Sequence, residues 1–289
     1  MKILIIGANG QLGSDLGLAG ERLGHEIVPC RGRKELDVTD SQQVNAAMEQ
    51  HRPDAVINTA ARCDVDACET DTQRAYEVNA VGARSVAEAA QNAGARLVHV
   101  STDYVFSGEK GSPYVESDAP DPVNVYGTSK LAGEHFVRDG CENHLVVRSS
   151  GLFGVAGSRE KGGNFIETMV SLSAERSELR GVSDQFLSPT YTLDLAAAII
   201  SLLETDVRGL VHVCNQGACS WLKWSTEIFR LLERQGTIEP VSMDEFGSNA
   251  RRPRHSALES EVLLQTGLAP LPPWEDAVRR YLEEAGHLP

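Results

Sequence analysis

The stretch KILIIGANGQLG, residues 2–13, joins a short apolar run to a glycine-rich turn. Ile3–Ile6 is apolar throughout and Gly7 ends it, the pattern of a parallel strand buried on both faces. Gly7-x-x-Gly10-x-x-Gly13 follows, and helical spacing begins at Gln11. In such a loop the first glycine permits the tight turn and the second lets a pyrophosphate approach the backbone. The third brings the helix close to the strand, and the helix N-terminus offers free N–H groups to an anion. At a first strand-to-helix junction this loop reads as a dinucleotide cradle built from Gly7, Asn9, Gly10, Gln11, Leu12 and Gly13.

Beyond that loop, strand and helix patterns alternate with short connections. HEIVPC, AVINTA, ARLVHVST and NHLVVRSS read as further strands. Between them stand helical stretches: DSQQVNAAMEQHRPD, capped at Asp40 or Ser41, then DTQRAYEVNAVGARSVAEAAQNAG and VNVYGTSKLAGEHFVRD. The alternation specifies an α/β fold with a doubly wound parallel sheet. The pattern loosens after Ser150, so residues 1–148 are expected to form the dinucleotide-binding domain. Residues 149–289 are expected to form mainly a smaller mixed substrate lobe, with some elements returning to the first domain.

Composition narrows the function. The 289 residues are 41% hydrophobic and 24% charged, ordinary for a globular chain. Lys and Arg number 27 against 41 Asp and Glu, a formal net charge of −14. That acidity excludes a general nucleic-acid binder and adhesion to anionic membranes. The first strand starts almost at Met1 and the longest apolar run, Leu195–Ile200, is too short to span a bilayer. A cytoplasmic protein without a leader is therefore expected. Six scattered cysteines without a C-x-x-C pair suit a reducing compartment and packing roles. Eight histidines have no metal-ligand spacing. Trp221, Trp224 and Trp274 could be read as ligand platforms, but their helical contexts favour core or interface packing.

The second strand is followed by CRGRKELD. An acid at that strand end would bind the adenosine ribose hydroxyls and repel a 2′-phosphate. Here Arg31 and Arg33 come first, favouring NADP(H) through charge-assisted contacts, with NAD(H) as the alternative. Asp37 and Val38 are placed to border the adenine.

The fourth strand ends in Ser101-Thr102, and strand ends in such sheets face the ligand crevice. Tyr126 and Lys130, four apart on the next helix, share a face. A hydroxyl, a phenol and an ammonium can thus converge. The hydroxyl of Thr102 or Ser101 would polarise a carbonyl. The ammonium would draw the phenol from its usual pKa of about 10 toward the working range, and a nicotinamide would carry the hydride.

Gly7-x-x-Gly10-x-x-Gly13, NTAA at 58–61, VNA at 78–80, STDYVF at 101–106 and Tyr126-x-x-x-Lys130 together resemble the extended short-chain dehydrogenase/reductase superfamily. With NVYGTSKLAGE, GGNFIETM, DQFLSPT and RRP at 251–253, the chain is most similar to the dTDP-4-dehydrorhamnose reductase family. That resemblance implies a Rossmann-type domain and NADPH-dependent reduction of a 4-keto sugar, most closely dTDP-4-dehydrorhamnose to dTDP-L-rhamnose. It implies Thr102, Tyr126 and Lys130 as the catalytic triad, with Tyr126 as proton donor. Asn58, Ala60, Ala61, Ser101, Tyr126 and Lys130 would border the cofactor. Thr102, Asp103, Val105, Asn164, Phe165 and Arg252 would meet the nucleotide sugar.

Several positions depart from the family pattern. Ser150-Gly151 stands where members commonly read Ser-Trp, and Cys63 where a threonine is usual. Both bear on the sugar, whose identity they leave open. Some members dimerise through magnesium held by acids; Asp15 matches one, but Leu193 replaces another, so no metal is expected. A monomer or homodimer is left open. A related nucleotide-sugar reductase or epimerase, and a non-catalytic dinucleotide-binding regulatory subunit, are the alternative readings.

Overall fold

The computed structural model describes residues 1–158, 160 and 162–288. Its first half alternates as expected: β1 (Lys2–Ile6), α1 (Gln11–Arg22), β2 (Glu26–Cys30), α2 (Ser41–His51) and β3 (Ala55–Asn58). After these come α3 (Val65–Thr70), α4 (Thr72–Tyr76), α5 (Gly82–Ala93), β4 (Arg96–Thr102), α6 (Val125–Gly140) and β5 (His144–Ser149). The second half holds β6 (Leu152–Phe153), α7 (Phe165–Glu175), β7 (Glu178–Val182), β8 (Phe186–Leu187), β9 (Thr190–Tyr191) and α8 (Thr192–Leu203). It closes with β10 (Gly209–His212), β11 (Cys219–Ser220), α9 (Trp221–Leu231), β12 (Thr237–Val241), α10 (Met243–Phe246), α11 (Glu261–Gln265) and α12 (Trp274–Glu284).

Six strands form one sheet in the order β10-β5-β4-β3-β1-β2, every neighbouring pair parallel. The doubly wound α/β expectation is met. Side chains alternate across it, as the two-residue period of a strand requires. Ile3 and Ile5 join Leu12, Leu16, Val98 and Val147 on one face. Leu4 and Ile6 join Val56, Val86, Leu97 and Val146 on the other. The direction of winding reverses between β1 and β3, which opens a crevice beyond their carboxyl ends.

The chain after β5 contributes to both regions. β10 pairs with β5, and α8 packs along α1. A separate aromatic core of Phe153, Tyr191, Trp224, Trp274 and Tyr281 holds α7, α9 and α12 over the open end of the sheet. Small strand pairs, β7 with β12 and β8 with β11, complete that cap.

Two local features differ from the sequence expectation. Residues 72–93 are not one regular helix: a π-helical turn, Glu77–Val81, separates α4 from α5. The short α3, with Asp64 accepting from the Ala67 N–H as its cap, lies in a segment with no strong helical period.

Candidate active site

One cleft of about 710 Å³ runs from the glycine loop, past the end of β4, to the aromatic core of the cap. Its cofactor end is dictated by backbone geometry. Gly7 has φ +84, and a Cβ there would lie 2.6 Å from Thr59 Oγ1. At Gly13 a Cβ would come 2.2 Å from the Gly7 carbonyl oxygen, so α1 can approach β1 only as glycine. Gly10 caps α1 without any side-chain hydrogen bond, leaving the terminal N–H groups to face the cleft. These features fit a dinucleotide pyrophosphate. Gly7, Asn9, Gly10, Gln11 and Leu12 line the cleft, whereas Gly13 acts from behind by packing.

At the ribose end Arg33, Asp37 and Val38 line the cleft, and Arg33 Nε lies 2.5 Å from Asp37 Oδ2. Burial works against the Asp37 carboxylate, but hydrogen bonds from Thr39 and Arg33 hold it below the usual range. Arg31 differs from expectation: its residue is exposed and outside the lining, while its backbone N–H and carbonyl bond Glu35 and Asn9. Arg74, unremarked in the sequence, lines the cleft beside Glu77.

Ala60 and Ala61 line the middle. Asn58 does not. Buried beneath them, it accepts from the Ala60 N–H at 3.1 Å and lies 3.3 Å from His99 Nδ1, so it shapes the loop instead of touching a ligand. Asn79, within VNA, is buried and bonds both Arg62 backbone groups, at 2.8 and 3.0 Å, and Ser129 at 2.9 Å. The π-helical turn thus ties the loop after β3 to α6.

Thr102, Tyr126 and Lys130 meet in the same cleft. Asn124 caps α6, accepting from Gly127 N–H at 2.8 Å, and a Cβ on Gly127 would sit 2.1 Å from the Tyr104 carbonyl. Hence YGTSK needs its glycine for α6 to press against the end of β4. The two candidate hydroxyls have separate fates. Ser101 Oγ lines the cleft but donates to Glu134 Oε1 at 2.5 Å, within a buried pair of Glu134 and Arg148. Thr102 Oγ1 donates to Asp103 Oδ1 at 3.1 Å and accepts from Tyr104 N–H, beside the Tyr126 phenol.

Burial raises the Tyr126 pKa, with the Cys63 thiol adding to the rise and Thr102 opposing it. The expected pull from Lys130 is not what governs it. The Lys130 ammonium donates to the Val100 carbonyl at 2.6 Å, and burial lowers its pKa to about 8. Tyr126 is therefore a protonated acid at neutral pH, the form needed to give a proton to a carbonyl oxygen.

At the far end Asp103, Asn164 and Phe165 line the cleft. The Asp103 carboxylate is held by hydroxyls of Thr102, Ser150 and Ser256, and burial raises its pKa. The Asn164 amide caps α7 and donates to Gly154 and Tyr281. Val105 corrects the expectation of substrate contact. Its side chain is fully buried with Phe106, Tyr114 and Leu258, and its carbonyl accepts from Asp121 N–H. Arg252 likewise stands behind the cleft, paired with Asp66 at 2.7 Å and bonded to Tyr104.

Sequence reading missed Gln185, Leu187 and Glu160 and favoured packing for Trp221; all four line the cleft. Trp224 and Trp274 are buried as expected; Trp221 is only partly so. DQFLSPT at 184–190 had been the available signal for Gln185 and Leu187. Glu160 pairs with Arg62 and accepts from the Cys63 and Asp64 N–H groups at 2.6 and 3.2 Å. Cys30, Cys68, Cys141 and Cys219 are buried. Asp15 lies inside the α1–α8 contact, accepting from Thr192 Oγ1 at 2.5 Å. Among the described residues no helix is long and apolar enough to cross a membrane.

A buried phenol and a glycine loop with room for a pyrophosphate line one cleft, an arrangement suited to hydride transfer to a carbonyl. The chain is an oxidoreductase of the extended short-chain dehydrogenase/reductase class. Within that class it belongs to the dTDP-4-dehydrorhamnose reductase family: the family model described as RmlD substrate binding domain matches residues 1–286. Membership makes it an NADP-dependent oxidoreductase. It is 38% identical to the spore coat polysaccharide biosynthesis protein SpsK of Bacillus subtilis strain 168, over 98% of this chain and 97% of that one. It is 35% identical to dTDP-4-dehydrorhamnose reductase of Escherichia coli strain K12, over 98% of each. The crystal structure of dTDP-4-dehydrorhamnose reductase from Bacillus anthracis in complex with NADP matches with a TM-score of 0.93 at 40% identity, covering 98% of this chain and 99% of that one.

Proposed function

We propose that this chain reduces the 4-keto group of dTDP-4-dehydrorhamnose to give dTDP-L-rhamnose. The observation that carries the reading is the meeting of Thr102, Tyr126 and Lys130 midway along a cleft that begins at the glycine loop. NADPH, when bound, supplies the hydride that arrives at C4. Tyr126 donates its phenolic proton to the C4 oxygen, and its burial keeps that proton in place until the carbonyl is positioned. Thr102 would orient the oxygen by turning its one hydroxyl proton from Asp103 to the carbonyl. Lys130, anchored at Val100, offers a cation to the phenolate that forms. Arg33 is the residue suited to a 2′-phosphate.

A second reading, the same chemistry on another dTDP-6-deoxy-4-keto sugar, is favoured by Gly151. It has φ +57, and a Cβ there would lie 2.7 Å from Leu187 Cδ1. A larger side chain there would have to displace the Leu187 methyl and hold a left-handed backbone.

The test is NADPH oxidation by the purified protein on enzymatically generated dTDP-4-dehydrorhamnose, with Tyr126→Phe as control. Stoichiometric oxidation that collapses in the variant supports the reading. Oxidation only with a different 4-keto sugar selects the second. Sugar inversion without net oxidation would mean an epimerase, and failure to bind any dinucleotide would sink both readings.

A further inference from the structure

We propose that Trp221 is the aromatic face on which the deoxyhexose of the nucleotide-sugar substrate packs, an inference that rests on the reductase reading. Ser149 is the strand partner of Thr102, and Gly151 follows two residues later, about 7 Å along an extended chain. Gly151 presents no side chain of its own. Leu187 lies against it, and Leu187 pairs across the β8–β11 ribbon with Cys219, two residues before Trp221. The wall above the reacting carbonyl therefore continues directly onto the indole.

The ring is held from behind. Its centroid lies 4.6 Å from that of Phe165, edge to face, and 5.4 Å from that of Trp224, stacked at an interplanar angle of 26°. Trp224 is almost wholly buried, at 1% exposure, and belongs to the core of the cap. Trp221 lines the cleft and keeps part of its surface open. Rigid aromatics with one free face bind apolar ligand surfaces at little entropic cost. A 6-deoxy sugar offers such a surface in its methyl group and ring C–H edge. The polar side chains nearby have other work: Asp103 is saturated by three hydroxyls, and the Asn164 amide is tied to its own helix and to Tyr281. Beside the polar Gln185 and Glu160, this end of the cleft offers apolar contact from Leu187, Phe165 and Trp221.

The experiment titrates dTDP and dTDP-L-rhamnose separately into wild-type protein, Trp221→Leu and Trp221→Phe, with NADPH binding measured on each as the check of the fold. Loss of an aromatic packing contact is expected to weaken dTDP-L-rhamnose about tenfold in Trp221→Leu. Binding of dTDP and NADPH should stay unchanged, and Trp221→Phe should recover most of the loss. Equal weakening of dTDP would assign Trp221 to the nucleotide and overturn the inference, as would unchanged sugar-nucleotide affinity in Trp221→Leu. Loss of NADPH binding in Trp221→Leu together with Trp221→Phe would make the residue a structural prop and also overturn it. A wild-type protein that binds NADPH but not dTDP-L-rhamnose would fail the reductase reading itself, and this inference with it.

Discussion

Lys130 and His99 meet beneath the cleft, Nζ to Nε2 at 3.4 Å, while His99 Nδ1 faces the Asn58 amide nitrogen at 3.3 Å. Asn58 Oδ1 already accepts from Ala60 N–H, so its amide nitrogen is the donor to Nδ1. The imidazole proton then sits on Nε2, facing the lysine. Burial and the neighbouring Lys130 charge hold the His99 pKa well below its ordinary value, so this ring is neutral. A neutral lysine could accept from Nε2 while donating to Val100; a charged one could only donate. Geometry and desolvation thus work in one direction, toward the lowered pKa of about 8, with Glu134 opposing.

The first prediction follows from that shift. Unfolded lysine titrates near 10.5 and folded Lys130 near 8, so between those values the unfolded chain binds more protons. Stability contributed by this group therefore rises with pH through the window, and its cost is fully present below pH 8. From pH 7.5 to 9.5 the wild type should gain about 2 kcal/mol relative to Lys130→Met. Urea denaturation of both proteins at the two pH values measures it, and parallel pH dependences would rule the shift out.

Ser101 and Thr102 should separate cleanly. The Ser101 hydroxyl donates to buried Glu134, whereas that of Thr102 stands beside Tyr126. Thr102→Val should lower kcat by roughly 10²-fold, as loss of an oxyanion-type donor does, and should also cost about 1 kcal/mol of stability because the hydroxyl bonds Asp103 and the Tyr104 N–H. Ser101→Ala should cost roughly 1 kcal/mol of stability and leave kcat within about threefold. Steady-state kinetics and thermal melts on the two variants decide it; the reverse pattern would reassign the carbonyl donor.

Spacing alone could not choose between these hydroxyls, and only the family resemblance pointed to Thr102, because adjacent residues at a strand end differ only in what their far partners are. Ser101 is claimed by Glu134 and Arg148, 33 and 47 residues away, and no local period announces that network. The glycine loop and the Tyr126–Lys130 pair were legible because their geometry is local: one turn of helix, or a junction whose spacing is fixed by the turn itself. Val105 and Arg252 were misplaced for the opposite reason. Their orientation depends on the segment 248–258 folding back against the loop after β4 and against α3, which sequence spacing does not reveal. The helical context of Trp221 points to packing, yet the first residue of a helix can face a cleft that the rest of the helix seals.

Glu134 accepts from Arg148 twice, at 2.9 and 2.6 Å, and both side chains are less than a tenth exposed. Removing one partner of such a pair leaves the other charge buried and uncompensated. Glu134→Gln should destabilise the chain by about 3 kcal/mol, with NADPH affinity retained in the fraction that folds. Denaturant midpoints and cofactor titration test this; a loss under about 1 kcal/mol would mean that the amide satisfies Arg148 and Ser101 as well as the carboxylate does.

Gly13→Ala adds one methyl where the Gly7 carbonyl oxygen would be 2.2 Å away. The contact is with backbone, so no flexible side chain can yield. Either α1 moves off β1 or the loop opens, and both spoil the pyrophosphate cradle. NADPH affinity should fall at least about tenfold, a change of 1.4 kcal/mol. Gly17→Ala, whose Cβ would meet nothing within 4 Å, is the matched control and should bind normally. Equal cofactor affinity in both variants would remove the loop from the cofactor site.

Cofactor choice rests on the other end of the same cleft. Arg33 is two-thirds exposed and anchored at one nitrogen by Asp37, 2.5 Å away, which leaves the rest of its donor fork available. A 2′-phosphate would engage that fork through charge-assisted hydrogen bonds, while a 2′-hydroxyl would gain little from it. Arg33→Ser should therefore weaken NADPH by roughly 10- to 100-fold, the range of a hydrogen bond to a charged group. NADH affinity should change by less than about threefold, since no charge-assisted bond is lost there. Rising ionic strength should also weaken NADPH binding more in the wild type than in the variant, because the contact is exposed and screened. If NADPH and NADH weaken together, Arg33 holds the loop and not the phosphate, and Arg74, which lines the same end beside Glu77, becomes the guanidinium to replace next.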